Sequence, residues 1–338
     1  MPRLIPVMLV HGFDGAPSSW TESGFRQQLI LKGNLDPNLI RTFDYGIAPD
    51  WTYNNRGDLR EIASRLAGAN LLPEDRFLCS VDQLSDNSVA RGGPAEVTLI
   101  AHSLGGIICR YYLSRAMRDD WGTLYGGNVG RLITIGSPHR GVDLARLIDL
   151  APRGSLMWRF IRLLEKLGLA PARPATTVEK LEAMLRAQQI AERTTGSPDR
   201  PENRILLTDS PVYRQLHPDS PILAELNKPG MLPRHITCHT VYGDICYSIT
   251  IRANRITLID HSVSFGDLVV AAESAREVPN TPCTSHPFVD GRSIAMTLTT
   301  GPALPEPRSL IDALPAVAHH RQLANPEIQG AILSILAP

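Results

Sequence analysis

Two regimes of apolar spacing alternate along the first 150 residues. Leu4–Val10 is an almost unbroken apolar run, the pattern of a strand buried on both faces. Ser18–Leu31 reads as a helix and Leu39–Phe43 as the next strand. Over Asp58–Ala69, Leu59, Ile62, Ala63 and Leu66 fall on one stripe at helical spacing. A second helix is predicted over Glu74–Val89, after the break at Pro73. Val97–Ala101 is again a buried strand, followed by a helix over Leu104–Met117 and a strand over Arg131–Ile135. Strands and helices taken in turn predict a parallel sheet covered by helices.

Between residues 151 and 232 the pattern changes, with Pro, Arg and helix formers replacing the β-branched runs. Strand signals return at Ile236–Tyr242, Arg255–Ile259 and Ile294–Thr299, and a helix over Pro326–Leu336 closes the chain. The expected organisation is one core built from residues 1–150 and 233–338, interrupted by a helical cap over 151–232. Within that cap Leu156, Phe160, Leu163, Leu164 and Leu167 share a face, with Arg159, Arg162 and Lys166 largely off it. Such a basic amphipathic helix reads either as a lid that meets a lipid interface or as a cap packed permanently on the core. Thr177–Thr194 is a second candidate cap helix.

Composition narrows the classes. A hydrophobic content of 43% suffices for a sizeable core. Lys+Arg and Asp+Glu both number 34, so no basic excess points to nucleic acid. No stretch approaches the roughly 18 apolar residues of a membrane span. The opening MPRLIPVMLVHG superficially resembles a presequence but leads straight into the candidate chemistry, so it is read as a core strand. Localisation stays open on this reading: cytoplasmic as written, secreted if a presequence has been removed. Five cysteines leave at least one thiol unpaired in a monomer. No C-x-x-C pair suggests zinc, and a disulfide among Cys238, Cys246 and Cys283 is left open by spacing alone.

The most informative segment is Glu96-Val-Thr-Leu-Ile-Ala-His-Ser-Leu-Gly-Gly-Ile-Ile. A buried strand runs into Ala101-His-Ser-Leu-Gly-Gly106 and a helix begins at once, which places Ser103 on a strand-to-helix turn. The turn demands small residues two before and two after the serine, and Ala101 and Gly105 supply them. Ser103 is therefore the candidate nucleophile. Acyl transfer also needs two N–H donors aimed at a developing oxyanion. The candidates are Leu104, directly after the nucleophile, and Phe13, in the His11-Gly12-Phe13 turn after the first strand.

Leu9-Val-His-Gly-Phe, Ala-His-Ser-Leu-Gly-Gly and Ile135-Gly-Ser-Pro-His-Arg-Gly together resemble the lipase and esterase branch of the α/β-hydrolases, which includes bacterial triacylglycerol lipases. The likeness is clear over residues 4–145 and patchy beyond. It implies an α/β-hydrolase fold, a mostly parallel sheet flanked by helices, and carboxylic ester hydrolysis with no cofactor and no metal. Chain order in this fold runs Ser, acid, His. The acid candidates are Asp244, Asp260, Asp267 and Asp290; His139 precedes all four and is read as structural. Gly266-Asp-Leu-Val-Val-Ala-Ala is similar to the acid loop of these lipases, which favours Asp267 over Asp244. An Asp in that position also suits a helix cap before Leu268–Ser274. In similar lipases the histidine precedes an apolar residue and a terminal helix, a register that favours His320 over His319, with His286 third.

The expected partner is a small-molecule or lipid ester, with lipid-interface contact if the cap is a lid. A non-catalytic scaffold of the same fold is the rival from another class. Acyltransferases, thioesterases and amidases share the same elbow.

Overall fold

The computed structural model describes residues 1–12, 17–45, 58–68, 80–122, 125–142, 211–253, 256–264, 266–267, 269–298 and 319–337. The apolar runs form β1 (Val7–Val10), β2 (Ile40–Phe43), β3 (Val97–His102), β4 (Val129–Ile135), β5 (Thr237–Ala253), β6 (Ile256–Ser264) and β7 (Cys283–Leu298). They join one sheet in which β2-β1-β3-β4-β5 run parallel. β7 continues the parallel set along β5, and β6 lies antiparallel to β5 beyond the end of β4. Residues 143–210, which hold both predicted cap helices, lie outside the described residues.

The helices are α1 (Ser19–Glu22), α2 (Phe25–Leu31), α3 (Leu59–Leu66), α4 (Val81–Ala90), α5 (Leu104–Leu113), α6 (Arg115–Trp121), α7 (Pro211–Gln215), α8 (Pro221–Leu226), α9 (Ala272–Ala275) and α10 (Pro326–Ile335). Two predicted helices are broken. Gly24, at φ 73°, separates α1 from α2. Ser114, extended at φ −85° and ψ 161°, ends α5 and caps α6 by accepting the Met117 amide. Neither break disturbs the apolar spacing, so periodicity alone reads through them. Among the described residues no helix is long and apolar enough to cross a membrane.

Alternating side chains send each strand into two cores. Met8, Val10, Leu99 and Ala101 face α3, α4 and α5, whereas Val7, Leu9 and Ile100 meet Trp20, Phe25 and Leu29 together with Ile328 and Ile332 of α10. Each fully buried Val, Leu or Ile contributes about 1.5–3 kcal/mol relative to exposure, so the sheet is clamped from both sides. α7 and α8 add Val212, Ile222, Leu223 and Leu226 to the first core, together with Leu216 just after α7. α10 opens with Pro326, and Asn325 accepts the amides of Glu327 and Ile328.

β1 and β3 are neighbours although a strand intervenes in sequence, and β2 lies on the other side of β1. Their C-terminal ends form the switch point of the sheet, where open α/β folds place ligands. The approach there is close. A Cβ on Gly105 would lie 2.5 Å from Val10 O and 2.6 Å from His11 O. On helix propensity Gly105→Ala should stabilise α5 by about 1 kcal/mol. The backbone clash reverses the sign, and a net loss of about 1–3 kcal/mol is expected in denaturant unfolding. A stabilised variant would mean that α5 does not seat on the end of β1.

Buried histidines, His11 and His139 among them, make stability depend on pH. His11 is 1% exposed and His139 is fully buried. Burial lowers His11 to about 4, against a smaller opposing effect from its bond to Gly12. Burial, reinforced by Arg110, holds His139 well below the ordinary value. Between the His11 value and the unfolded value of about 6.5, the unfolded chain binds more protons, so acid favours unfolding. Stability should be level above pH ~6.5 and fall below it by about 1.4 kcal/mol per pH unit for each histidine. Unfolding midpoints measured from pH 4 to 8 test this; a level profile down to pH 4 would remove both residues from the protonation balance.

Candidate active site

β3 ends at His102 and α5 starts at Leu104, so Ser103 alone makes the turn. Its φ of 53° and ψ of −126° lie in a region that non-glycine residues rarely adopt. The turn is held from below by Ser103 N, which donates to Ile135 O of β4 at 2.9 Å. On its other side Gly12 approaches so closely that an added Cβ would stand 2.7 Å from Ser103 Cβ. Strain at Ser103 thus carries its hydroxyl out over the C-terminal edge of the sheet.

Ser103 Oγ lies 2.9 Å from His319 Nε2, and His319 Nδ1 lies 2.8 Å from Asp267 Oδ2. An ionised carboxylate only accepts, so Nδ1 carries the proton and Nε2 is left to accept from the serine. Asp267 is 1% exposed and the His319 side chain 11%. The series serine, imidazole, carboxylate can pass a proton from the hydroxyl to the ring and hold the resulting charge.

The structure corrects the sequence register at the histidine. His319, not His320, meets Ser103 and Asp267. The backbone chooses between them: His319 N donates to Asp267 O at 3.0 Å, which docks this residue against the acid loop. Residues 319–324 form a 3₁₀ helix ahead of α10. In such a turn consecutive side chains point about 120° apart, so one step in register changes the side presented.

Asp267 stands where the sequence placed it but does not open the predicted helix over Leu268–Ser274. Its Oδ1 accepts the amides of Val269 and Val270 at 3.0 and 2.7 Å, and the helix starts only at Ala272. Oδ2 takes His319 and also Gln322 Nε2, at 2.8 Å each. Gln322 is fully buried and was not singled out from the sequence. The signal was present as His-x-x-Gln, since residues three apart eclipse one another on a 3₁₀ turn. The rival acid Asp244 is engaged elsewhere. Its Oδ1 accepts Ser264 Oγ at 2.6 Å and Gly266 N at 3.1 Å, so it tethers the start of the Asp267 loop.

His139, His286 and His102 are engaged by other groups. His139 Nε2 lies 2.9 Å from Thr134 Oγ1, in line with its sequence reading. His286 pairs with His239 at 3.2 Å between β7 and β5. His102 is lowered to about 3, chiefly by burial of its ring and then by His319. It is therefore neutral at pH 7, and its Nε2 lies 3.2 Å from His319 O. A neutral ring there steadies the His319 backbone without adding a second cation beside it.

Of the two candidate oxyanion donors, Leu104 is the first residue of α5, where an amide has no acceptor within the helix. Phe13 lies outside the described residues. The loop leading to it is anchored: Tyr45 Oη bonds Gly12 O at 2.7 Å and His11 O at 3.0 Å, and its ring stacks on His11. Among the described residues no group of three or more His, Cys, Asp or Glu is placed to hold a metal ion.

Residues 7–233 match the family model described as the alpha/beta hydrolase family. Among solved structures, lipase 1 from Pelosinus fermentans aligns at 14% identity and TM-score 0.45, covering 99% of this chain and 98% of that one. The mature lipase BlEst2 from Bacillus licheniformis aligns at 17% identity and TM-score 0.42, over 100% and 94%. The RedJ thioesterase from the prodiginine biosynthetic pathway of Streptomyces coelicolor aligns at 12% identity and TM-score 0.39, over 99% and 89%. No curated protein sequence matches. With the family model spanning β1, the Ser103 elbow and β4, the chain belongs to the alpha/beta hydrolase family.

Proposed function

We propose that this protein is a carboxylic ester hydrolase, an esterase or lipase, working through an acyl-enzyme on Ser103. The observation that carries the reading is the bonded series Ser103 Oγ, His319 and Asp267, with each step between 2.8 and 2.9 Å. Ser103 Oγ attacks the acyl carbon while His319 Nε2 takes its proton. Asp267 keeps the ring in the required tautomer and stabilises the imidazolium. The Leu104 amide, with Phe13 as the second donor inferred from sequence, receives the oxyanion. His319 then returns the proton to the leaving alcohol, and water releases the acid by the same steps in reverse order. Gln322 and His102 serve as positioning residues, one for the carboxylate and one for the backbone of the histidine.

Hydrolysis of p-nitrophenyl esters from short to long acyl chains tests the reading. Ser103→Ala should lower kcat by at least about 10³-fold, and Ser103→Ala with His319→Ala should be little worse, because the residues act as a unit. The optimum in chain length then separates esterase from lipase. Undiminished hydrolysis by Ser103→Ala would sink the proposal.

The two adjacent histidines give a sharper check. His319→Ala should match the loss of the serine variant, whereas His320→Ala should stay within about tenfold of the parent. The reverse order would return the proton transfer to His320.

A further inference from the structure

Cys238 and Cys283 are direct register partners on the parallel strands β5 and β7. Partners in register project from the same sheet face, and neighbouring strands lie about 4.8 Å apart. That separation falls inside the roughly 4.4–6.8 Å between Cα atoms that a disulfide bridges. Both are free thiols in this structure, Cys238 buried and Cys283 partly exposed.

The surroundings suit a thiolate. Arg110, on α5, is 1% exposed. Its guanidinium donates to His139 O, Leu226 O and Asn227 Oδ1, which are uncharged acceptors. Its Nε is buried with no hydrogen-bond partner, and among the described residues no carboxylate pairs with it. Both thiols act on it electrostatically, as does the buried ring of His139. A buried cation without a carboxylate is costly unless another negative group faces it.

We propose that Cys283 and Cys238, opposed across β5 and β7 beside the buried guanidinium of Arg110, form a peroxide-sensitive dithiol that closes to an intrachain disulfide. Cys283 is the attacking sulfur, because it is partly exposed to an incoming peroxide whereas Cys238 is buried. The Cys283 thiol is lowered chiefly by the neighbouring Cys238 thiol, with help from the Val278 backbone and Arg110, while burial and Glu277 oppose. Glu277 is itself paired with Arg140. Cys238 is pushed up by the Cys283 thiol beside it and by burial.

The chemistry balances with peroxide as the oxidant. The Cys283 thiolate attacks one peroxide oxygen, forming the sulfenic acid and releasing hydroxide, which takes a proton to become water. Cys238 sulfur then attacks the sulfenic sulfur. Its proton leaves with the displaced hydroxyl as a second water, and two thiols have lost two electrons to one peroxide.

Cys246 is the comparator within the same molecule, since burial and its bond to Asp244 raise its thiol. The native protein would be treated with hydrogen peroxide and the products mapped by mass spectrometry under non-reducing conditions. A Cys238–Cys283 disulfide is expected, with Cys246 oxidised at least about tenfold more slowly. Cys238→Ser should instead leave a sulfenic acid on Cys283 that dimedone traps, and Cys283→Ser should leave Cys238 unreacted. For iodoacetamide at Cys283, the midpoint of rate against pH should lie below the ordinary thiol value of about 8.5 and rise in Cys238→Ala. Oxidation of Cys246 at an equal or greater rate, a disulfide between chains, or a Cys283 midpoint unmoved by Cys238→Ala would each overturn the proposal.

Discussion

A serine held at φ 53° and ψ −126° costs about 1–3 kcal/mol, and it persists only if the surrounding backbone allows no other path. Here the path is closed on every side. Ser103 N is tied to Ile135 O, Gly12 packs on its Cβ, and Gly105 packs on the carbonyls that end β1. These contacts come from three adjacent parallel strands, so the turn is a property of the sheet rather than of its own few residues. The two apolar cores that clamp the sheet therefore also supply the energy that keeps the serine strained.

Placing the carboxylate meets a different difficulty, because a buried anion must be satisfied at both oxygens. Asp267 divides the task. Oδ1 is occupied by the amides of its own loop, which fixes the side-chain rotamer. Oδ2 is left for groups from the end of the chain, His319 and Gln322. Asp244, a carboxylate of equal chemistry, spends its Oδ1 on Ser264 and Gly266, fastening the loop that presents Asp267. The distinction between the two acids is thus one of hydrogen-bond partners, which no residue type announces.

That explains which parts of the site could be read from the sequence. Ser103 and its elbow were legible because the turn imposes residue sizes at fixed spacing on both sides of the serine, and the flanking strand and helix declare themselves by period. Asp267 was favoured only through the likeness of its loop to the acid loop of similar lipases. His319 was not separable from His320, because the choice depends on the long-range bond from His319 N to Asp267 O. Gln322 was missed for the same reason: its role exists only once the 3₁₀ turn aligns it with His319. The helix breaks at Gly24 and Ser114 escaped because the apolar stripe continues across them.

Arg110 links these observations to the far side of the fold. It lies seven residues after Ser103 on α5, two turns down the helix that the strained turn begins. From there it holds His139 O, in the segment after β4, and Leu226 O and Asn227 at the end of α8. Ser103 itself is tied to Ile135, the last residue of β4. One helix is therefore fixed at its start to β4 and two turns later to the loop that β4 feeds. A helix restrained at both points cannot slide along the sheet, so the serine stays within reach of a histidine delivered from more than two hundred residues further along the chain.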